Sequence, residues 1–433
     1  MNKPVNDKVA SEAVDAAADA SQTEIRAGFK APIVMSLIGL LTIVFLGFLG
    51  REGMVSFEIS GRLDAIQLPP LDIDSSTLGV MAGVAMLLMS GFTLYLSMQN
   101  RKTPIWVSVL FGFIGIAALL GWLAAEAAVP VTFIASTALV LAVPIILGAM
   151  AGIMSERVGI TNIAIEGQLL TGAFMAAVVT SITESFLLGT LSAMFAAGLL
   201  SMVLAVFSIK FLAQQIIVGV VLNVLVIGIT NFLYQQWLTQ DAQSVNFPGT
   251  LDIIKIPILS DIPLIGPVFF ENRITVFLAI FLALAVWFVL FKTRLGLRAR
   301  AVGEHPLAAD TVGINVGRTR FWWVTIGGSI AGLGGAALTI GNAGAFGREM
   351  AGGLGFIALA VVILGRWHPI YAALAALLFG FAIILRIWAG QVSPGVPTDF
   401  IAMVPYLVTI IAVVGFVGKS RPPKALAVPY VKG

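Results

Sequence analysis

Apolar runs of about twenty residues recur along nearly the whole chain, and they constrain its fold more than any other feature. A helix of ~20 residues spans the ~30 Å hydrocarbon core of a bilayer, and a backbone in lipid must satisfy its hydrogen bonds within helices or a closed barrel. The period-two alternation of a membrane β-barrel is absent from the sequence. With 59% hydrophobic and 11% charged residues, a water-soluble domain could not cover its surface. The sequence therefore predicts an all-α, polytopic integral membrane protein.

Charged and turn-rich gaps divide the apolar stretches into about twelve predicted membrane helices, within a range of ten to twelve. The candidate at 352–365 is short for the bilayer, so we expect either a half-helix or a continuation through Trp367. The predicted spans are 31–50, 78–98, 104–128, 131–154, 161–183, 186–209, 212–238, 274–291, 321–345, 352–365, 369–389 and 402–418.

The distribution of basic residues predicts the topology. With the polar N-terminal tail in the cytosol, nineteen of the 25 Lys and Arg residues fall on the inner side, which favours an even number of spans and two cytosolic termini. The tail also lacks the apolar core of a signal peptide. The predicted organisation is a cytosolic tail at 1–30, N-terminal helices at 31–130 with an outer loop at 51–77, a core at 131–418 with an outer loop at 239–273 and an inner loop at 292–320, and a cytosolic tail at 419–433.

Several kinds of chemistry have no support in the sequence. Cysteine is absent and the only histidines are His305 and His368, so we predict no metal site. Neither paired carboxylates nor a nucleophile with its base converge on one span, so we predict no catalytic residue. Gly418-Lys419-Ser420 resembles the end of a phosphate-binding loop, but Val413 occupies the position of the required glycine. We therefore predict no cofactor bound by this chain, and no nucleic-acid partner.

The inner loop from Lys292 to Arg320 is the least membrane-like internal segment, with six basic residues and two acidic ones. Its charge alone would suit anchoring at the lipid headgroups. Its centre predicts a short helix, because Pro306 suits a first helical position and Gly313 suits a helix end. A helix this short is marginal by itself, so we expect it to dock either on a cytosolic partner or on the protein's own inner face.

Polar residues within the predicted spans are candidates for a translocation path or gate. Asn162 and Glu166 are four residues apart in the span 161–183 and share one helix face, and Gln168 follows, while Asn223 and Asn231 lie near one face of 212–238. A carboxylate in a span should face the interior, a cavity or a cation such as Arg157 or Arg386. The alternative interpretation is that these groups make hydrogen bonds between packed helices. The candidate path residues are Asn162, Glu166, Gln168, Asn223 and Asn231.

Small residues predict close helix packing and one interruption. Gly328, Gly332 and Ala336 fall four residues apart, as do Gly148 and Gly152. The glycines between Gly341 and Gly355 are denser than packing requires, and they predict a flexible or broken helix around 346–351.

Four segments of the chain are also similar to a known family, over about Val131 to Gly418. The chain resembles permease subunits of ATP-binding-cassette importers in the branched-chain amino acid, ribose and nucleoside permease family, simple-sugar and nucleoside subgroup. Ala164 departs from the glycine usual in that family. The matching segments are SERVGITNIAIEGQLLTGAF (155–174), IPILSDIPLIGPVFF (256–270), GLRARAVGEHPLAADTVGINV (296–316) and GGLGFIALAVVILGRWHPI (352–370).

The resemblance implies a transport subunit of the bacterial cytoplasmic (inner) membrane that moves nucleosides or related simple sugars by alternating access. It implies that ATP and magnesium are used by a partner ATPase, with a second, paralogous permease and an extracytoplasmic binding protein or lipoprotein. The alternative is a secondary transporter or channel that works alone, driven through Glu166, Glu126 and Arg386. The residues implied to couple to the ATPase are Glu304, His305, Pro306, Leu307, Ala308, Ala309, Asp310 and Gly313.

Overall fold

The computed structural model confirms the predicted fold class. Ten helices in the described residues are long and apolar enough to cross a membrane, and an eleventh apolar helix is shorter. The predicted span 402–418 falls outside the described residues except for Met403, as do the tail at 1–28 and part of the C-terminal tail. The structure describes residues 29–61, 66–101, 103–392, 403 and 422–432.

The described chain forms two compact units, of which the first comprises residues up to Phe57 and Leu71–Val129. Its helix α2 begins where the Asp74 carboxylate accepts a hydrogen bond from the amide of Thr77, a side-chain N-cap. Strands β1 and β2 pair antiparallel, and the sheet order is β2-β1-β3. The elements are α1 (Lys30–Leu41, continued as a π-helix through Thr42–Phe48), β1 (Met54–Glu58), β2 (Leu71–Asp74), α2 (Ser75–Met98), α3 (Ile105–Leu123) and β3 (Ala128–Pro130).

The second unit comprises Glu58–Pro70 and the chain from Pro130 onward, and it contains all the candidate site residues. Its helices are α4 (Val131–Glu156), α5 (Ile165–Thr183), α6 (Phe186–Ile209), α7 (Gln215–Leu233, continued as a π-helix through Tyr234–Leu238), α8 (Ala242–Val245), α9 (Ile274–Lys292), α10 (Arg294–Glu304), α11 (Pro306–Thr311), α12 (Val316–Leu338, continued as a π-helix through Thr339–Ala343), α13 (Leu354–Leu364) and α14 (Pro369–Val392). A π-helix at Gly266–Phe270 lies between strands β4 (Ile253–Lys255) and β5 (Glu271–Arg273), which pair antiparallel.

Helices α4, α5 and α12 form the centre of this unit. Between 67% and 83% of the residues in their most apolar stretches are buried, against 28% to 39% in α6, α7, α9 and α14. The less buried helices keep large exposed apolar side chains, such as Phe195 on α6 and Phe281 on α9, which suits a surface in contact with lipid. Packing against neighbours therefore shapes the central helices more than lipid does.

The predicted small-residue ridges are confirmed as helix contacts. A Cβ atom at Gly332 would lie 2.3 Å from the carbonyl oxygen of Ala193 on α6, so only glycine permits this approach. Gly148 and Gly152 of α4 receive Ile165 of α5 on one side and Ala358 and Val362 of α13 on the other. Small residues thus let the backbones pack closely, as is common in membrane helices.

Two of the boundaries that differ from the prediction bear on the site. Helix α5 begins at Ile165 and not at 161, because the preceding residues run as an irregular segment whose polar groups bond to neighbouring helices. The inner loop 292–320 is mostly helical: α10 starts at Arg294, where the Thr293 hydroxyl accepts a hydrogen bond from the amide of Gly296. The loop is too charged to contain a membrane span, but one face of α10 is buried against the rest of the protein.

Candidate functional site

Glu166 forms the N-terminal cap of a half-helix. Its two carboxylate oxygens accept hydrogen bonds from the amides of Gly353 and Gly355, at 2.8 and 2.7 Å, and its side chain is 6% exposed. These amides begin α13, where unpaired N–H groups and the helix dipole favour an acidic partner. Sequence reasoning placed Glu166 correctly in the interior, but the candidate cations Arg157 and Arg386 are not its hydrogen-bond partners in the described residues.

The helix break predicted near 346–351 is confirmed. Helix α12 ends in a π-helix at Ala343, and α13 starts only at Leu354. Gly344, Gly352 and Gly353 have φ values of 75°, 53° and 85°, a left-handed backbone that glycine adopts readily. Helix α13 has 11 residues, or about 16 Å, which is roughly half of the hydrocarbon thickness. It is the half-helix that the short apolar stretch at 352–365 suggested.

Helix α5 also begins within the depth of the bundle. Its first residue, Ile165, packs beside Gly148 and Gly152, one to two turns before α4 ends at Glu156. The segment 157–164 therefore turns back along α4 before α5 starts. A Cβ atom at Gly355 would lie 2.3 Å from the amide nitrogen of Glu166, so the starts of α5 and α13 touch. Two helix N-termini thus meet inside the bundle.

Amide side chains hold the irregular segment in place. Asn162 and Gln168 exchange two hydrogen bonds of 3.1 Å, and neither side chain is exposed. Asn223 of α7 accepts a hydrogen bond from the amide of Gly167 and donates one to the carbonyl of Ile163, both at 2.8 Å. Because Asn162 precedes α5, the expectation that it shares a helix face with Glu166 is wrong. The bonds of Asn162, Gln168 and Asn223 match the helix-packing interpretation, while a transport role for each stays a prediction.

Asn231 lies apart from this network. Its amide donates to the carboxylate of Glu349 at 3.0 Å, in the loop that leads to α13. Arg348, in the same loop, lies over the ring of Tyr234 in the π-helical continuation of α7, with its guanidinium carbon 5.4 Å from the ring centroid. The structure therefore divides the five predicted path residues into a buried cluster of four and one more exposed contact to the 344–353 loop.

The predicted short helix is confirmed as α11. Pro306 is its first residue, and Gly313 has a φ of 84°. The amide of Ile314 donates to the carbonyl of Ala309 and that of Gly313 to Asp310, which closes the helix as a Schellman motif. The element ends where the sequence indicated.

The eight predicted coupling residues point in different directions. Ala309 is 3% exposed and packs in a cluster with Val302 and Val316. Leu307 is 66% exposed and His305, Ala308 and Gly313 are exposed, so they form an outward face with Val312, which is 74% exposed. Glu304, Pro306 and Asp310 are half-buried. The helix thus docks on its own protein with one face and leaves the other open.

A C-terminal segment, Pro422–Lys432, braces this region, and sequence reasoning missed it. The amide of Ala425 donates to the carbonyl of Gly303 at 2.9 Å, and that of Ala427 donates to Gly159 at 3.2 Å. Burial and the facing Asp310 carboxylate raise the pKa of Tyr430. The segment links α10 and α11 to the turn after α4.

Arg320 holds the C-terminal segment from within. Only 2% exposed, it donates from Nε to the carbonyl of Val158 at 3.0 Å and from Nη1 to that of Val428 at 3.2 Å. The sequence grouped Arg320 with the basic residues of the inner loop. Its position as the last charge before the apolar part of α12 was the available signal.

A second missed cluster lies at the turn between α13 and α14. The indole of Trp367 donates to the carboxylate of Glu156, and both Nε and Nη2 of Arg157 donate to the carbonyl of Trp367, at 3.0 and 2.8 Å. His368 stacks on Tyr371, with ring centroids 4.4 Å apart. Burial, followed by the nearby Arg157 guanidinium, lowers the pKa of His368. These residues tie the end of α4 to the end of α13.

The fold and site define a class of protein. Discontinuous helices whose N-termini meet inside a polytopic bundle are a recurring construction of membrane transporters. A family described as branched-chain amino acid transport system / permease component matches residues 134–413, well over half of the chain. The chain belongs to this family of transport-system permease components. The resemblance drawn from the four sequence segments is thereby confirmed.

Individual relatives cover the same region. The chain is 43% identical over 312 residues to the guanosine ABC transporter permease protein NupQ of Bacillus subtilis, covering 70% of this chain and 97% of that relative. It is 40% identical to the nucleoside ABC transporter permease protein NupC of Lactococcus lactis, over 69% of this chain and 96% of the relative. A second Bacillus subtilis relative, the guanosine ABC transporter permease protein NupP, is 26% identical over 79% of this chain and 91% of its own length. No solved structure matches the chain significantly.

Proposed function

We propose that this chain translocates nucleosides or related simple sugars as one of two permease subunits of an ATP-driven importer. Membership of the permease family supports the role in transport, and the names of NupQ and NupC support nucleosides as substrates. Bacillus subtilis has two guanosine permease proteins similar to this chain, which supports a pair of paralogous permeases. Both termini would be cytosolic, in the bacterial inner membrane, and an extracytoplasmic binding protein or lipoprotein would deliver the solute.

The observation that carries the proposal is the open face of α11. Leu307 and Val312 are 66% and 74% exposed, although apolar side chains of this size gain about 1.5–3 kcal/mol on full burial. The opposite face of α11 is already packed through Ala309. A short helix that is anchored on one side and apolar on the other is suited to a cleft in a cytosolic ATPase, and ATP with magnesium would be bound there.

Contacts leading from α11 to Glu166 supply a route for coupling. A Cβ atom at Gly303, in α10, would lie 2.1 Å from the carbonyl oxygen of Arg157, so α10 rests directly on the turn after α4. That turn continues into the 160–164 segment, where the amide of Thr161 donates to Gln215 of α7 at 2.7 Å. Glu166 and the start of α13 follow. Movement of α11 by the ATPase would therefore reach the half-helix through rigid, hydrogen-bonded neighbours.

Alternating access would then shift the half-helix against α7. The Asn231–Glu349 contact holds the middle of the loop 344–353, and the junction of α5 and α13 holds its end at Gly353. The glycines of this loop permit rearrangement. Glu166 and Asn231 would lie at different ends of the translocation path. Substrate choice would rest mainly with the binding protein.

The experiment is co-purification with the ATP-binding-cassette ATPase from the same genome. Leu307→Glu and Val312→Glu should abolish association and ATP-dependent uptake of guanosine, because each places a charge in an apolar contact. Val431→Glu is the matched control, since Val431 is 65% exposed on the C-terminal segment. Full association of both α11 variants would refute the coupling role. Uptake driven by a proton gradient without any ATPase would instead establish a transporter that works alone.

A further inference from the structure

An apolar slot opens between α9 and α12, away from the Glu166 junction. Its volume is about 370 Å³, and its walls are almost entirely hydrocarbon and indole. The lining residues are Met154, Ala285, Val286, Val289, Leu295, Trp322, Trp323, Ile326 and Ile330.

The slot adjoins a more polar groove of about 620 Å³ beside α10 and α11. The two cavities share Leu295, Trp322 and Trp323 as lining residues, so the groove forms a charged mouth next to the apolar slot. Two arginines, Arg298 and Arg318, line that mouth. Both are exposed, and within the described part of the chain neither guanidinium has a hydrogen-bond or ion-pair partner.

The order of residues along α12 matches the layers of a lipid leaflet. Arg318, Trp322, Ile326 and Ile330 are four residues apart and lie on one face of the helix. The twelve steps from Arg318 to Ile330 rise about 18 Å, close to half of the bilayer thickness. Tryptophan is favoured at the headgroup level, and arginine beyond it attracts anionic headgroups.

We propose that this groove binds an anionic phospholipid, with its phosphate between Arg298 and Arg318 and one acyl chain in the slot. Charge complementarity decides the occupant, because an apolar helix from a partner would fill the slot but leave two unpaired cations at the mouth. A solute of the translocation path is excluded by the hydrocarbon lining. The lipid would brace α10 against α9 and α12, in a groove whose rim includes Val312 and Gly313 of the α11 face proposed to dock the ATPase.

The test measures lipid binding to the full-length chain in mild detergent by native mass spectrometry. The probes are palmitoyl-oleoyl phosphatidylglycerol and the phosphatidylcholine with the same acyl chains. The wild-type chain should bind the anionic lipid more tightly, and the double variant Arg298→Gln/Arg318→Gln should raise its dissociation constant about tenfold or more while leaving the neutral lipid unchanged. Ile326→Trp, which fills the slot, should weaken both lipids.

A matched control removes two other exposed charges that the topology places on the same side. Arg101→Gln/Lys210→Gln should bind both lipids as the wild type does. Preference for the anionic lipid in the Arg298/Arg318 variant would overturn the proposal, and so would unchanged binding in Ile326→Trp. Displacement of the lipid by millimolar inorganic phosphate would identify a free-anion site. Cross-linking of residue 326 to the second permease in the assembled importer would identify a protein interface and would also overturn it.

Discussion

The carboxylate of Glu166 accepts a hydrogen bond from the amide of Gly353, 187 residues further along the chain, at 2.8 Å. The bond joins the start of α5 to the start of α13, so one side chain sets the position of two helix N-termini. We expect Glu166→Ala to lower the melting temperature of the purified chain and to abolish uptake, because a buried amide at Gly355 and a partly buried one at Gly353 lose their acceptor, at about 1–3 kcal/mol for a buried group. Thermal unfolding in detergent and uptake in cells measure the two effects.

Comparing Glu166→Gln with Glu166→Ala separates the loss of the carboxylate charge from the loss of the hydrogen bonds. Glu166→Gln keeps one acceptor oxygen and should fall between the wild type and Glu166→Ala in stability. Glu184→Gln is the control, since Glu184 is an exposed residue at the far end of the same helix. A melting temperature for Glu166→Ala equal to that of Glu184→Gln would contradict the capping role.

Two helix glycines should respond to the same substitution with opposite signs. A Cβ atom at Gly335 would lie 2.1 Å from the carbonyl oxygen of Leu169, whereas one at Gly228 would meet no atom within 4 Å. Gly335→Ala should destabilise the protein by about 1–3 kcal/mol through overpacking. Gly228→Ala should be neutral or stabilising by about 0.5–1 kcal/mol, because alanine favours the helix. Melting temperatures of the two variants, compared in one detergent, decide whether α5 and α12 are as close as the Gly335–Leu169 distance implies.

Arg320→Met should release the C-terminal segment. Methionine keeps much of the buried volume but donates no hydrogen bond to Val158 or Val428, a loss of about 2 kcal/mol or more. We expect faster tryptic cleavage after Lys424, followed by mass spectrometry, together with weaker ATPase association. Arg294→Met, at an exposed position on α10, serves as the control. Equal cleavage rates in the two variants would show that Arg320 does not hold the segment.

His368 should make stability fall in mild acid. Its lowered pKa means that the fold favours the neutral ring, so the contribution is complete above the unfolded pKa of about 6.5 and is lost as pH falls below it. The melting temperature should drop less in His368→Phe than in the wild type between about pH 7.5 and about pH 5.5. Phenylalanine preserves the stacking with Tyr371 and Phe291. An unchanged slope in His368→Phe would contradict the assignment.

Features that depend on neighbours in the chain could be predicted. Helix α11 follows from Pro306 and Gly313, whose backbone preferences act locally, and the break before α13 follows from the density of glycine. The spacing of Gly328 and Gly332 is also a local property of the sequence, and it indicated close packing. Burial of Glu166 could also be inferred, since a carboxylate in a span must avoid lipid.

The partners of those residues could not be predicted, because they are far apart in sequence. The early start assumed for α5 shows the limit: 161–164 is apolar enough to continue a helix, yet Gln215 and Asn223 of another helix bind its backbone and keep it irregular. By sequence alone, Arg320 fits a headgroup anchor. In the structure its guanidinium instead donates to the carbonyls of Val158 and Val428.

By itself, the sequence determined the bilayer as solvent, the approximate set of helices, the short docking helix and the family resemblance, since each rests on composition or local backbone preference. Only the tertiary structure decided that Glu166 caps α13, that Arg320 secures the C-terminal segment, and that α9 and α12 leave a slot with a basic mouth. These features depend on which backbone amides and carbonyls lack a partner when the helices pack, and no single stretch of sequence records that.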